Sequence, residues 1–101
     1  MDIQELTQRM HEFVSDKGWY EDHSPRPQTP RNLAISLNLE ATEVLEHFQW
    51  DDKVENPRSF AGELADVTLY LLQLASLTDI DLEKAVLEKL DQNRCRTWEE
   101  E

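Results

Sequence analysis

The 101-residue chain is expected to form a single all-α domain, residues 1–101, built as a four-helix-type bundle and completed by oligomerisation. Three observations lead there. Only two glycines and four prolines occur, and the prolines lie between residues 25 and 30 and at Pro57, leaving long uninterrupted stretches suited to helix. Apolar residues recur at helical spacing, and strand signals are nearly absent. A helical chain this short can build a core, but often completes it by pairing with further copies.

Each helix carries its own justification. Residues 2 to about 17 place Ile3, Leu6, Met10, Phe13 and Val14 on one face and end near Gly18. The stretch GWYEDHSPRPQT, residues 18 to 29, is polar and proline-bearing and reads as an exposed loop. Thr29-Pro30 then supplies a capping hydroxyl followed by proline at the first helical position, where the missing N–H costs nothing. This second helix is expected to run to about Phe48, with Leu37, Ala41, Val44 and Phe48 as its apolar face. Asn56-Pro57 repeats the device and opens a third helix through Leu77. From Leu64 onward that helix is apolar around most of its circumference, which predicts a central position. Asp79 or Asp81 caps a fourth, carrying Leu82, Val86 and Leu90 and fraying into the acidic tail that begins at Trp98.

Charge narrows the function classes. Twenty-two acidic residues against ten Lys and Arg give a net charge of −12, which argues against a nucleic-acid partner held through a basic surface. A small polyphosphate stays open as a ligand, because metal ions placed between acids and phosphates invert the local electrostatics. Most of the acids are expected simply to form a solvated surface. Cys95 is the only cysteine, so no internal disulfide forms and a reducing, cytoplasmic setting is expected. The N-terminus is too polar for a signal peptide, and no apolar run approaches membrane-spanning length, so no membrane partner is expected.

Two short motifs carry the chemistry, Glu40-x-x-Glu43 on the second helix and Glu63-x-x-Asp66 on the third. An i, i+3 spacing sets both acids of a pair on one helix face. Each pair lies beside apolar residues, where uncompensated charge is costly, and the two stripes can face each other across a helix pair. Four converging carboxylates suit a hard, oxygen-preferring cation, Mg²⁺ first and Mn²⁺ second. A di-iron site would want Glu-x-x-His, whereas His47 lies four residues after Glu43. Ion pairing on the helix surface, or capping, is the competing explanation for each pair taken alone.

Further candidates are less specific. On the fourth helix Lys89, Asn93 and Arg96 fall within a narrow stripe and could donate to phosphate oxygens; the helix dipole also favours cations there. Trp19 and Trp50 stand beside polar loop sequence and offer platforms for a nucleobase, or else belong to the core. His11, His23 and His47 show no ligand spacing with one another and read as surface or packing residues.

Taken together, Thr29-Pro30-Arg31-Asn32-Leu33, the run from Leu39 to Phe48-Gln49-Trp50, Glu63-Leu64-Ala65-Asp66-Val67 with Tyr70, and Lys89 followed by Asn93-Arg94 resemble the MazG-like, all-α nucleoside triphosphate pyrophosphohydrolases. The likeness covers nearly the whole chain and is strongest to the small dCTP pyrophosphatase branch. It implies that Glu40, Glu43, Glu63 and Asp66 bind Mg²⁺, that Tyr70, Lys89 and Asn93 contact phosphates, and that Trp50, with Trp19, lines a base pocket. It further implies hydrolysis of a nucleoside triphosphate between the α and β phosphates, with Glu40 or Glu43 orienting or deprotonating the water, and assembly as a homotetramer of dimers. Two departures stand out: the loop from Tyr20 to Thr29 is longer than in close relatives, and Gly62 replaces a common acid. The reading from a different class is a non-catalytic helical module that senses nucleotides or binds a protein.

Overall fold

The computed structural model describes residues 1–97, and the expected fraying of the tail from Trp98 onward lies outside them. Four helices follow one another: α1 (Ile3–Asp16), α2 (Pro30–Glu46), α3 (Pro57–Leu77) and α4 (Leu82–Cys95). The described residues contain no strand.

Every helix start is a side-chain oxygen accepting from an otherwise orphaned backbone N–H. Asp2 Oδ1 accepts from the Glu5 N–H at 2.9 Å and Thr29 Oγ1 from Asn32 at 3.2 Å. Asn56 Oδ1 accepts from Ser59 at 3.1 Å and Asp81 Oδ1 from Lys84 at 3.0 Å. Pro30 and Pro57 occupy the first turns of α2 and α3 as their positions after Thr29 and Asn56 predict.

Two helix ends use a left-handed residue to close the last turn. Gly18, at φ +76°, follows α1, with the Trp19 N–H donating to Val14 O at 3.2 Å. After α3 the same closure falls on Asp79, at φ +58°, and the Ile80 N–H donates to Ala75 O at 2.8 Å. Asp79 therefore terminates α3 while Asp81 alone caps α4, which resolves the choice left open by the sequence. α2 stops two residues short of Phe48; beyond Glu46 the chain turns, with the Phe48 N–H donating to Leu45 O at 2.9 Å.

α3 is central, as expected: α2 packs along it most extensively, α1 lies against it as well, and α4 touches it only lightly. The buried apolar residues are Met10 and Val14 from α1, Leu33 from α2, and Leu72 and Ala75 from α3. They form one seam where the three helices meet. Outside it, the apolar circumference of α3 is only partly covered: Leu64, Leu69, Leu71 and Leu77 remain exposed. α4 buries none of its residues, and Val86, Leu87 and Leu90 are open. The chain is correspondingly extended, 50 × 36 × 28 Å with a radius of gyration of 16.3 Å, against about 13 Å for a compact domain of this length.

A seam this narrow makes each member count. Leu33, 3 % exposed, is expected to lose about 2–5 kcal/mol of stability as Leu33→Ala. Urea denaturation checks it, and a loss below about 1 kcal/mol would show that the seam is not where the helices are held.

Candidate functional site

The two acid pairs lie on neighbouring faces of α2 and α3, which run antiparallel. Glu40 and Asp66 line one cavity, whereas Glu43 and Glu63 line a second recess. His47, just beyond α2, hydrogen-bonds Glu63 through Nε2 and stacks edge-on against Phe60 at 5.1 Å. The same register thus holds over two helical turns, and it gathers all four carboxylates.

Glu40 is the focus of this cluster. Its Oε2 is buried and has no hydrogen-bond partner, the one such side-chain oxygen among the described residues. Burial raises the Glu40 pKa above the ordinary carboxylate value, and the adjacent Glu43 carboxyl and the charges of Asp66 and Glu63 push it the same way. Native structures rarely leave a buried acceptor unsatisfied unless the group serves something else. As the side chains stand, no three of the described His, Cys, Asp or Glu residues are drawn together tightly enough to hold a metal ion, and Glu63 is engaged by His47. The donor set is all oxygen and repulsive within itself, the chemistry that a hard cation relieves.

The larger cavity, about 650 Å³, extends from Glu40 and Asp66 toward α1 and the 18–29 loop. That is the size range of small-molecule sites. Helical spacing explains its walls: Leu6, Met10 and Phe13 from α1, Asn32, Ser36 and Glu40 from α2, and Asp66, Tyr70 and Gln73 from α3. The loop closes the far side. Trp19 packs edge-on against Phe13 at 5.7 Å, and the Arg26 guanidinium lies over its ring at 5.3 Å.

Of the residues singled out in the sequence, Glu40, Asp66, Tyr70 and Trp19 are brought to this cavity. Glu43, Glu63 and Trp50 border the smaller recess of about 320 Å³ together with His47. Trp50 is 89 % exposed and stands apart from Trp19. Lys89 and Asn93 lie on α4 and Arg96 just past its end, so the expected helical stripe stops short of Arg96; none of the three lines either cavity, though Arg96 Nη1 donates to Asn93 Oδ1 at 3.5 Å. Sequence reasoning passed over His47, whose side chain is 12 % exposed and which holds an acid of the cluster rather than serving only as surface or packing. It also passed over Arg9, Arg26 and Gln73 in the large cavity. Gln73 left a signal: it interrupts an apolar run seven residues after Asp66 and three after Tyr70, on their helix face.

Helix-borne carboxylates converging beside a deep cavity define an all-α protein built around an acidic helix pair. The chain belongs to the MazG-like family, whose sequence model matches residues 35–101. It is 40 % identical over 98 aligned residues to dCTP pyrophosphatase 1 of Homo sapiens, an alignment covering 87 % of this chain and 55 % of that protein. The Rattus norvegicus protein of the same name is 38 % identical over the same shares. The chain therefore spans about half the length of these curated relatives. A crystal structure of a pyrophosphatase from Archaeoglobus fulgidus superposes with a TM-score of 0.75 at 34 % identity, covering 89 % of this chain and 86 % of that one.

If the four acids crowd one another, neutralising the central one should stabilise the metal-free protein. Glu40→Gln is expected to raise the urea midpoint measured in EDTA; an unchanged or lowered midpoint would mean that the carboxylates do not repel.

Proposed function

We propose that this chain is a Mg²⁺-dependent nucleoside triphosphate pyrophosphohydrolase, cleaving between the α and β phosphates to release a monophosphate and pyrophosphate, with dCTP or a related deoxynucleotide as substrate. The observation that carries the reading is the unpartnered Glu40 Oε2, surrounded by three further carboxylates at the wall of a cavity of about 650 Å³. The names of the relatives support the reaction and the base.

Glu40, Glu43, Glu63 and Asp66 would hold Mg²⁺, with Mn²⁺ as a substitute. Bound there, the ion would polarise phosphate oxygens and lower the pKa of a water. Glu40 or Glu43 would orient the attacking water or take its proton. The Tyr70 hydroxyl, on the same wall as Glu40 and Asp66, donates toward the polyphosphate, and Arg9 and Arg26 bring positive charge to an otherwise acidic molecule. Trp19 offers its ring to the base.

The exposed apolar residues of α3 and α4 supply a surface for assembly as a homotetramer of dimers. In such an assembly Trp50 and the Lys89, Asn93 and Arg96 stripe serve the site from positions near subunit contacts. Solvent-exposed Cys95 accords with a cytoplasmic setting, and no described helix is long and apolar enough to cross a membrane.

Pyrophosphate release from dCTP, dATP, dUTP, dTTP and 5-substituted dCTP, with Mg²⁺ or Mn²⁺, tests the activity. Turnover of at least one is expected, and turnover of none would defeat the enzymatic reading. Glu43→Gln should cost roughly 10²-fold or more in kcat with helical circular dichroism intact. Near wild-type activity would remove Glu43 from the metal set.

A further inference from the structure

At the end of the large cavity away from the acids lies a hydrogen-bond network whose polarity is fixed at Gln28 and Gln73. Gln28 Nε2 donates to the backbone oxygen of Arg26 at 2.7 Å. A carbonyl only accepts, so the Gln28 amide is fixed with Oε1 turned the other way. That oxygen accepts from Gln73 Nε2 at 2.8 Å, and Gln73 Nε2 gives its second proton to Tyr20 Oη at 3.2 Å. The Tyr20 hydroxyl, having accepted from Gln73, also pairs with His11 Nδ1 at 2.5 Å and reaches Met10 Sδ at 4.0 Å. His11 Nε2 is in turn hydrogen-bonded to Ser76 Oγ at 2.7 Å. Burial raises the Tyr20 pKa, with the Gln73 bond opposing.

Both protons of the Gln73 amide are thereby spent within the protein, and its Oε1 has no hydrogen-bond partner among the described residues. Gln73 is only 3 % exposed. Its Oε1 is nevertheless not among the sealed, unsatisfied atoms, a condition confined among the described residues to Glu40 Oε2. Gln73 is one of the residues that line the large cavity. The lining combines apolar Met10, Val14, Leu33 and Leu69 with polar Gln28, Asn32 and Tyr70. An acceptor held in one orientation is a discriminating element, because a ligand without a matching donor leaves it unpaired.

We propose that Gln73 Oε1 selects a nucleobase carrying an exocyclic amino group, cytosine or adenine, over the corresponding keto base. This rests on the reading of the cavity as a nucleotide site. The amino N–H of cytosine donates to Oε1, whereas the O4 of uracil would oppose oxygen to oxygen. Rotating the amide to offer N–H instead would set its oxygen against Gln28 Oε1, so the lock enforces the choice. Gln73 contacts the base, and Gln28 and Tyr20 act through it as positioning residues.

The test uses two readouts on the wild type, Gln73→Met and Gln28→Ala. Binding of dCMP and dUMP, followed by NMR chemical-shift titration without divalent metal, needs no turnover; kcat/KM for the pairs dCTP and dUTP, and dATP and dITP, reports on catalysis. The wild type is expected to favour the amino member at least about tenfold, and both variants to bring the ratio within about threefold of unity. Gln28→Ala leaves the apolar wall intact and decides the matter if Gln73→Met fails to fold by circular dichroism. A wild-type preference for the keto base, or a ratio unmoved by the variants, overturns the proposal. If no triphosphate is hydrolysed but the monophosphate preference appears and depends on Gln73, the hydrolytic reading fails and the selectivity assignment stands.

Discussion

The antiparallel register of α2 against α3 is the constraint on which the remainder of this structure depends. It is set by apolar packing at the seam that includes Leu33 and Leu72, yet its consequence is electrostatic. Once the helices align there, Glu40 falls beside Asp66, and Glu43 and His47 fall beside Glu63. A shift by one residue would rotate an acid by about 100° and disperse the cluster. Hydrophobic burial therefore offsets the repulsion that like charges generate at close range, an arrangement natural proteins retain chiefly where the charge has work to do.

The rest of the molecule is arranged around that pair with little redundancy. α1 adds Met10 and Val14 to the seam and then provides, with its next face, one wall of the cavity. The loop from 18 to 29 is held mostly by polar and aromatic contacts: Trp19 on Phe13, Arg26 on Trp19, and Gln28 and Tyr20 on Gln73. α4 contributes no buried residue. Stability is thus concentrated in three helices, and the fourth remains a largely open amphipathic surface.

Local chemistry made the fold legible in the sequence. Thr29-Pro30 and Asn56-Pro57 mark helix starts because capping acts within three residues, and Gly18 marks an end because a left-handed residue is needed there. The acid pairs were legible for the same reason, being i, i+3 on a helix face. What sequence spacing did not disclose depends on contacts between distant segments. His47 reads as an ordinary polar residue until Glu63 is placed against it. Gln73 is a single polar residue in an apolar run, and its partners lie 45 and 53 residues away. Asp79 resembles a cap in sequence, but its positive φ assigns it to the end of α3 instead.

The attachment of the 18–29 loop has an evolutionary consequence. Its anchors to the helical frame are side-chain hydrogen bonds and ring contacts at a few positions, while the acid-bearing helices are joined by a different interface altogether. Insertions or replacements in this loop can reshape one end of the cavity and leave the carboxylates where they are. Descendants of such a scaffold are free to drift in what the cavity admits while inheriting the same carboxylate cluster, so that divergence in loop length becomes a record of a changing cavity rather than of a changing acid pair.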